Sequence, residues 1–193
     1  MGTSNAARMM SEPKTDAPAD PARLTRLVRE HFKGVFRIAL RLGVPRAVAE
    51  DAAQEVFVIL SRKLSSVEVG REKSFLVGTA VRVAANIRRS QRARAVVLEP
   101  AGDAQAADPG PLPDALMEAR EARALLERVL TAMPDEHRTV FVLFEFEGLS
   151  QPEIADVVEI PVGTVASRLR RAREIFDAEV RKLRIAHEGR ERE

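Results

Sequence analysis

Thr164, Ser167, Arg168 and Arg171 recur at intervals of three and four, so a helix through them carries two hydroxyls and two guanidinium groups on one face. Small hydroxyls allow close approach to a groove and arginine can make paired hydrogen bonds to guanine, so this combination suits the reading of a duplex. Arg170 and Ala166 flank the arc, and no acidic residue interrupts Pro161 to Arg173. Gly163 leaves the backbone unobstructed at the start of the same helix, a place that favours phosphate. A second basic run, "VRVAANIRRSQRAR" from Val81 to Arg94, contributes Arg82, Asn86, Arg88, Arg89 and Arg92 with no acid between them. Arginines at a helix end also complement its dipole, but two such runs in one small chain point to nucleic acid. Asp51, Gln54 and Glu55 offer the opposite chemistry, an outward acidic and amide patch. Beside Phe57 and Val58, which the same turn leaves partly outward, that patch suits docking of a basic partner helix.

Other chemistries find no support. The chain has no cysteine, and its three histidines, His31, His137 and His187, lack ligand spacing, so neither a disulfide nor a metal site is expected. No Gly-rich phosphate loop, nucleophile elbow or histidine–carboxylate grouping is visible, which argues against an enzyme and against a cofactor. The N-terminus "MGTSNAARMMSEPKTDAPAD" lacks the apolar segment of a signal peptide, and no run of 18 apolar residues occurs, so a cytoplasmic protein without membrane insertion is expected. The formal net charge is only +2, so the distribution of charge carries the information, not its total.

The elements that must position these residues are helices. Leu24, Leu27, Val28, Phe32, Val35, Phe36, Ala39 and Leu42 recur at the helical period from Pro21 to Leu42, until "GVP" breaks the pattern at Gly43. A second helix is expected from about Arg46 to Leu64, with Val48, Ala52, Val56, Ile59 and Leu60 inward, and a third from about Ser74 to Arg94. "EPAGDAQAADPGPLPD", Glu99 to Asp114, holds four prolines, two glycines and one large apolar residue, so it reads as a flexible acidic linker. Beyond it, helices are expected at about Ala115 to Ala132, Pro134 to Glu147, Ser150 to Val158 and Val162 to Leu183. Pro134 and Gly148 suit a helix start and stop, and Ser150 with Glu153 forms a capping box. The last two helices, joined only by "EIP", make a helix-turn-helix, with Val162, Val165, Leu169, Ala172 and Phe176 packing inward. The fold class is therefore all-α: a disordered tail over 1–20, a helical domain over 21–95, a linker over 96–114, a helix-turn-helix domain over 115–185 and a short tail over 186–193.

"LSQPEIADVVEIPVGTVASRLRRARE", preceded by "LERVLTAMPDEHRTVFVLFEFEG", resembles the C-terminal DNA-reading domain of bacterial sigma factors of the extracytoplasmic-function group. "AEDAAQEVFVIL", Ala49 to Leu60, is similar to the polymerase-binding motif in the first domain of the same family. The resemblance implies a subunit that binds core RNA polymerase through Asp51, Gln54, Glu55, Phe57 and Val58. It implies that Arg82, Asn86, Arg88, Arg89 and Arg92 meet the minus-ten element of promoter DNA. Gly163, Thr164, Ser167, Arg168, Arg170 and Arg171 would meet the minus-thirty-five element, and an anti-sigma factor is an expected partner. Phe75 stands where many members carry Trp, Arg82 where they often carry Asn, and Ala166 where they are often basic. The alternative left by the residues alone is a free-standing helix-turn-helix regulator acting without polymerase; the absence of a dimerisation heptad and the second basic helix count against it.

Overall fold

The computed structural model describes residues 20–97 and 114–190. Most of the expected N-terminal tail and linker, and the last three residues, lie outside the described residues. Every regular element among the described residues is helical: α1 Pro21–Arg41, α2 Arg46–Lys63, a 3₁₀ turn Leu64–Ser66, α3 Glu72–Val97, α4 Asp114–Thr131, α5 Asp135–Glu145, α6 Gln151–Val158 and α7 Val162–Arg190.

Local chemistry explains most of the ends. Asp20 accepts hydrogen bonds from the Ala22 and Arg23 amides, and Pro21 occupies the first helical position, where a missing N–H costs nothing. At the other end of α1, Gly43 takes φ +85°, and the Gly43 and Val44 amides return to the carbonyls of Leu40 and Ala39. That is the six-to-one closure a left-handed glycine makes cheap. α3 runs past the expected Arg94 to Val97, since the first strong breaker after it is Pro100. α7 likewise continues to Arg190 rather than ending at Leu183, since no proline interrupts the residues that follow and the one glycine among them, Gly189, weakens a helix without breaking it.

The helices pack as two groups, α1 to α3 and α4 to α7. In the first, Leu27, Val35 and Ile38 of α1 meet the small face Ala49, Ala52 and Ala53 of α2 and Leu76, Val77 and Ala80 of α3. Alanines along α2 let the axes approach closely, so the larger side chains of its neighbours fill the space between. Arg23 ties α1 to the start of α3, donating to the Leu64 and Val67 carbonyls at 3.2 and 2.8 Å and to Glu72 at 2.8 Å. In the second group Val140, Leu143, Ile154, Val165, Leu169 and Ala172 form the interior, and Phe141 stacks on Phe176 with centroids 5.1 Å apart. α4 lies on α7, and α6 crosses it to make the helix-turn-helix. The two groups also touch each other, α1 against α4 and α3 against α6, and their buried apolar residues run into one cluster. Sequence reading expects two tethered units; contact between them needs tertiary information.

Candidate nucleic-acid and partner interfaces

The helix-turn-helix is built from short-range signals. The Ser150 amide donates to a Glu153 carboxylate oxygen at 2.8 Å, and the Ser150 hydroxyl donates to the same oxygen at 2.6 Å. These two bonds hold the Glu153 carboxyl below its usual range. α6 ends at Glu159, which adopts φ 57°, a left-handed backbone uncommon outside glycine, while the Ile160 amide returns to the Ala155 carbonyl at 3.1 Å. The chain then starts α7 after Pro161, whose carbonyl takes the Thr164 and Val165 amides.

Val165, Leu169 and Ala172 anchor α7 and are fully buried, as their spacing requires. Val162, expected on the same stripe, is 44% exposed; it sits in the first turn, before the helix reaches its neighbours. The opposite face is open. Gly163, Ser167, Arg170 and Arg171 are exposed, and Thr164 and Arg168 are half-buried. A Cβ on Gly163 would meet nothing within 4 Å, so the chain's own packing makes no demand for glycine there. The hydroxyl of Ser167 donates to the Thr164 carbonyl at 3.0 Å.

Four arginines in the first half of this helix, Arg168, Arg170, Arg171 and Arg173, are each held by a carboxylate. Arg170 and Arg171 share Glu174 at 2.6 and 2.8 Å, and these bonds, that from Arg171 foremost, keep the Glu174 carboxyl below its usual range. Arg168 pairs with Glu136 at 2.8 Å, and Arg173 pairs with Glu145 at 2.8 Å while lying over the Phe144 ring. The Glu174 partnership is legible as an i to i+4 and i to i+3 spacing. Glu136 and Glu145 lie on α5, 32 and 28 residues from their partners in sequence, a distance at which no local pattern links them.

α2 presents Asp51, Gln54, Glu55 and Val58 to solvent and Ala52, Ala53, Val56 and Leu60 to the core. Phe57 departs from expectation. It is 7% exposed because its ring stacks on Phe32 of the neighbouring α1, with centroids 5.9 Å apart. A shallow groove beside the patch is lined by Leu24, Val28, Phe32, Gln54, Phe57, Val58 and Ser61.

On α3, Arg82, Asn86, Arg89 and Arg92 are exposed, whereas Arg88 is buried. Arg88 Nε donates to Asp135 Oδ2 at 3.0 Å, and Arg92 reaches the same oxygen at 2.7 Å. The basic end of α3 is thus turned onto the first residue of α5. No group of His, Cys, Asp and Glu that could hold a metal occurs among the described residues, and no described helix is long and apolar enough to cross a membrane.

Residues 27–94 match the family described as Sigma-70 region 2, and residues 123–175 match Sigma-70, region 4. The chain is 32% identical over 163 residues to the "ECF RNA polymerase sigma factor SigE" of Mycolicibacterium smegmatis, covering 82% of this chain and 63% of that protein. It is 32% identical over 151 residues to the "ECF RNA polymerase sigma-E factor" of Escherichia coli, covering 72% of this chain and 78% of that one. Among solved structures, CnrH in complex with the cytosolic domain of CnrY matches with a TM-score of 0.62 at 23% identity, over 84% of this chain and 90% of that one. The sigma factor RpoE in complex with the anti-sigma factor NepR from Bartonella quintana matches with a TM-score of 0.63 at 18% identity, over 82% and 97%.

Proposed function

Since the chain belongs to the extracytoplasmic-function group of the sigma-70 family, we propose that it is an alternative sigma factor that binds core RNA polymerase and directs initiation at its own promoters. The observation that carries this reading is α7, a helix anchored by Val165, Leu169 and Ala172 that turns Ser167, Arg170 and Arg171 outward from a helix-turn-helix. Such a helix places its N-terminal residues in a major groove. Gly163, Thr164, Ser167, Arg168, Arg170 and Arg171 are proposed to meet the minus-thirty-five element. Arg82, Asn86, Arg88, Arg89 and Arg92 of α3 are proposed to meet the minus-ten element.

Polymerase docking is proposed for Asp51, Gln54, Glu55 and Val58, with Phe57 supporting the patch from beneath. An acidic patch with one exposed apolar side chain gives a basic partner both register and burial. The chain is proposed to work as two domains, 21–95 and 115–185, in the cytoplasm, without catalysis of its own and under the control of an anti-sigma factor. A free-standing regulator is not favoured, because it would leave the region-2 match over residues 27–94 without a role.

The test is gel filtration with core polymerase followed by transcription in vitro on a library of upstream sequences. Comigration and a shared motif in the transcribed templates are expected. A stable dimer indifferent to polymerase would overturn the reading.

A further inference from the structure

Arg168, Arg170 and Arg171 stand near one another on α7, but their carboxylate partners are of two kinds. Glu174 lies one turn further along the same helix and is shared by Arg170 and Arg171, all three exposed. Glu136 belongs to a different helix. It sits in the first turn of α5, and its Oε2 accepts a hydrogen bond of 2.8 Å from Nη2 of the half-buried Arg168. Its other oxygen, Oε1, lies 3.9 Å from His137 Nδ1.

α5 and α7 share one core, to which Val140 and Leu143 come from the first and Val165, Leu169 and Ala172 from the second. That core sets where the Glu136 carboxylate stands beside α7. A guanidinium carries five N–H donors in a planar fork, so one bond at Nη2 leaves an adjacent pair of donors open. Among the described residues no further acceptor takes them.

We propose that Glu136 is a positioning residue for base reading: its carboxylate holds Arg168 in one rotamer, so that the open pair of donors meets the O6 and N7 edge of a guanine in the upstream element. This rests on the reading of α7 proposed above. An arginine left to itself spreads over many rotamers and gives up that freedom on binding. One held beforehand gives up less, and gains most where a base offers two acceptors in line with the held fork. The same carboxylate repels phosphates whatever the sequence. Glu136 thus lowers affinity for DNA in general while raising preference at one base pair. Glu174, shared between two exposed arginines, supplies the repulsion without the orientation.

The measurement is selection of bound duplexes by the assembled holoenzyme, full-length chain with core polymerase, from a library randomised over the upstream element. The selected sequence and its single-base variants are then titrated. Arg168→Ala should lower preference at one base pair about tenfold, the scale of one lost two-bond contact. Glu136→Ala should lower preference at that same base pair about threefold, the share lost when the arginine regains its rotamers, while tightening binding to scrambled duplexes. Glu136→Gln keeps an acceptor at the same reach and should fall between the parent and Glu136→Ala. Added to Arg168→Ala, Glu136→Ala should bring no further loss of preference. A merely structural role would instead move the melting temperature and leave the base profile as it was. Melting curves identify any variant that has unfolded, and Glu136→Gln then serves as the readable case. Unchanged preference in folded Glu136 variants overturns the proposal, and so does sharper preference, which a simple mask over Arg168 would give. If Arg171→Ala still alters the profile in that case, base reading by α7 stands and only the role of Glu136 falls. If Arg168→Ala and Arg171→Ala are silent as well, both fall.

Discussion

The Phe57 ring stacks on Phe32 with centroids 5.9 Å apart and planes inclined at 23°, leaving the adjacent Val58 outside at 47% exposure. Neighbouring residues on one turn of α2 thus have different work. Phe57→Ala should destabilise the chain by about 3–5 kcal/mol, the usual cost of emptying an aromatic site in a core. Val58→Ala should leave the melting temperature nearly unchanged and weaken binding to core polymerase. Thermal denaturation and a binding titration on both variants separate the two roles; equal effects on stability would mean that the ring is not anchored as described.

Docking through the acidic face of α2 is expected to be lost in Asp51→Arg with Glu55→Arg. Both side chains are exposed, so helicity should be preserved while comigration with core polymerase disappears. Unchanged affinity of the double variant would place the docking face elsewhere.

Arg171→Ala should cost about 1–3 kcal/mol on the proper upstream element and relax preference at one base pair, measured with the assembled holoenzyme on matched and altered duplexes. Arg173→Ala should leave sequence preference intact, since its guanidinium is engaged by Glu145 and Phe144. Glu174→Gln frees both Arg170 and Arg171 and removes a negative charge near the proposed duplex. It should strengthen binding to every sequence alike, most visibly at low salt. Indistinguishable behaviour of the two arginine variants would show that this face does not read bases.

Acid should loosen the tie between α1 and α3. The hydrogen bond from Arg23 above all, with those from the backbone, holds the Glu72 carboxyl below its ordinary value, so the folded chain keeps Glu72 ionised at pH values where the unfolded chain takes up a proton. That stabilisation is fully present above the unfolded carboxylate range near pH 4.5 and is lost as pH falls through the lowered folded value. Glu72→Gln should lower stability at pH 7 by about 1–3 kcal/mol, because it leaves the Arg23 donors without their carboxylate. It should also flatten the fall in melting temperature between pH 5 and pH 3. Parallel melting profiles for the two proteins across that range would show that the pair contributes nothing.

The helices, their caps and the outward faces of α2 and α7 were determined by the sequence alone. Each depends on residues no more than about four apart: Asp20 with Ala22 and Arg23, Ser150 with Glu153, and the buried Val165, Leu169 and Ala172 opposite Ser167, Arg170 and Arg171. Periodicity and capping act over one turn of chain, and a sequence displays one turn of chain directly. What only the tertiary structure decided is which outward residues stay outward. Arg88 has the composition of a solvated helix end, and it is buried because Asp135, 47 residues away, arrives beside it. Phe57 turns from surface to core because Phe32 stands opposite, and Arg138 reaches Leu42, 96 residues distant, only across the bare Cα of Gly43. Helical period assigns a side chain to a direction, whereas burial depends on what another element brings to that direction, and no local pattern encodes that arrival.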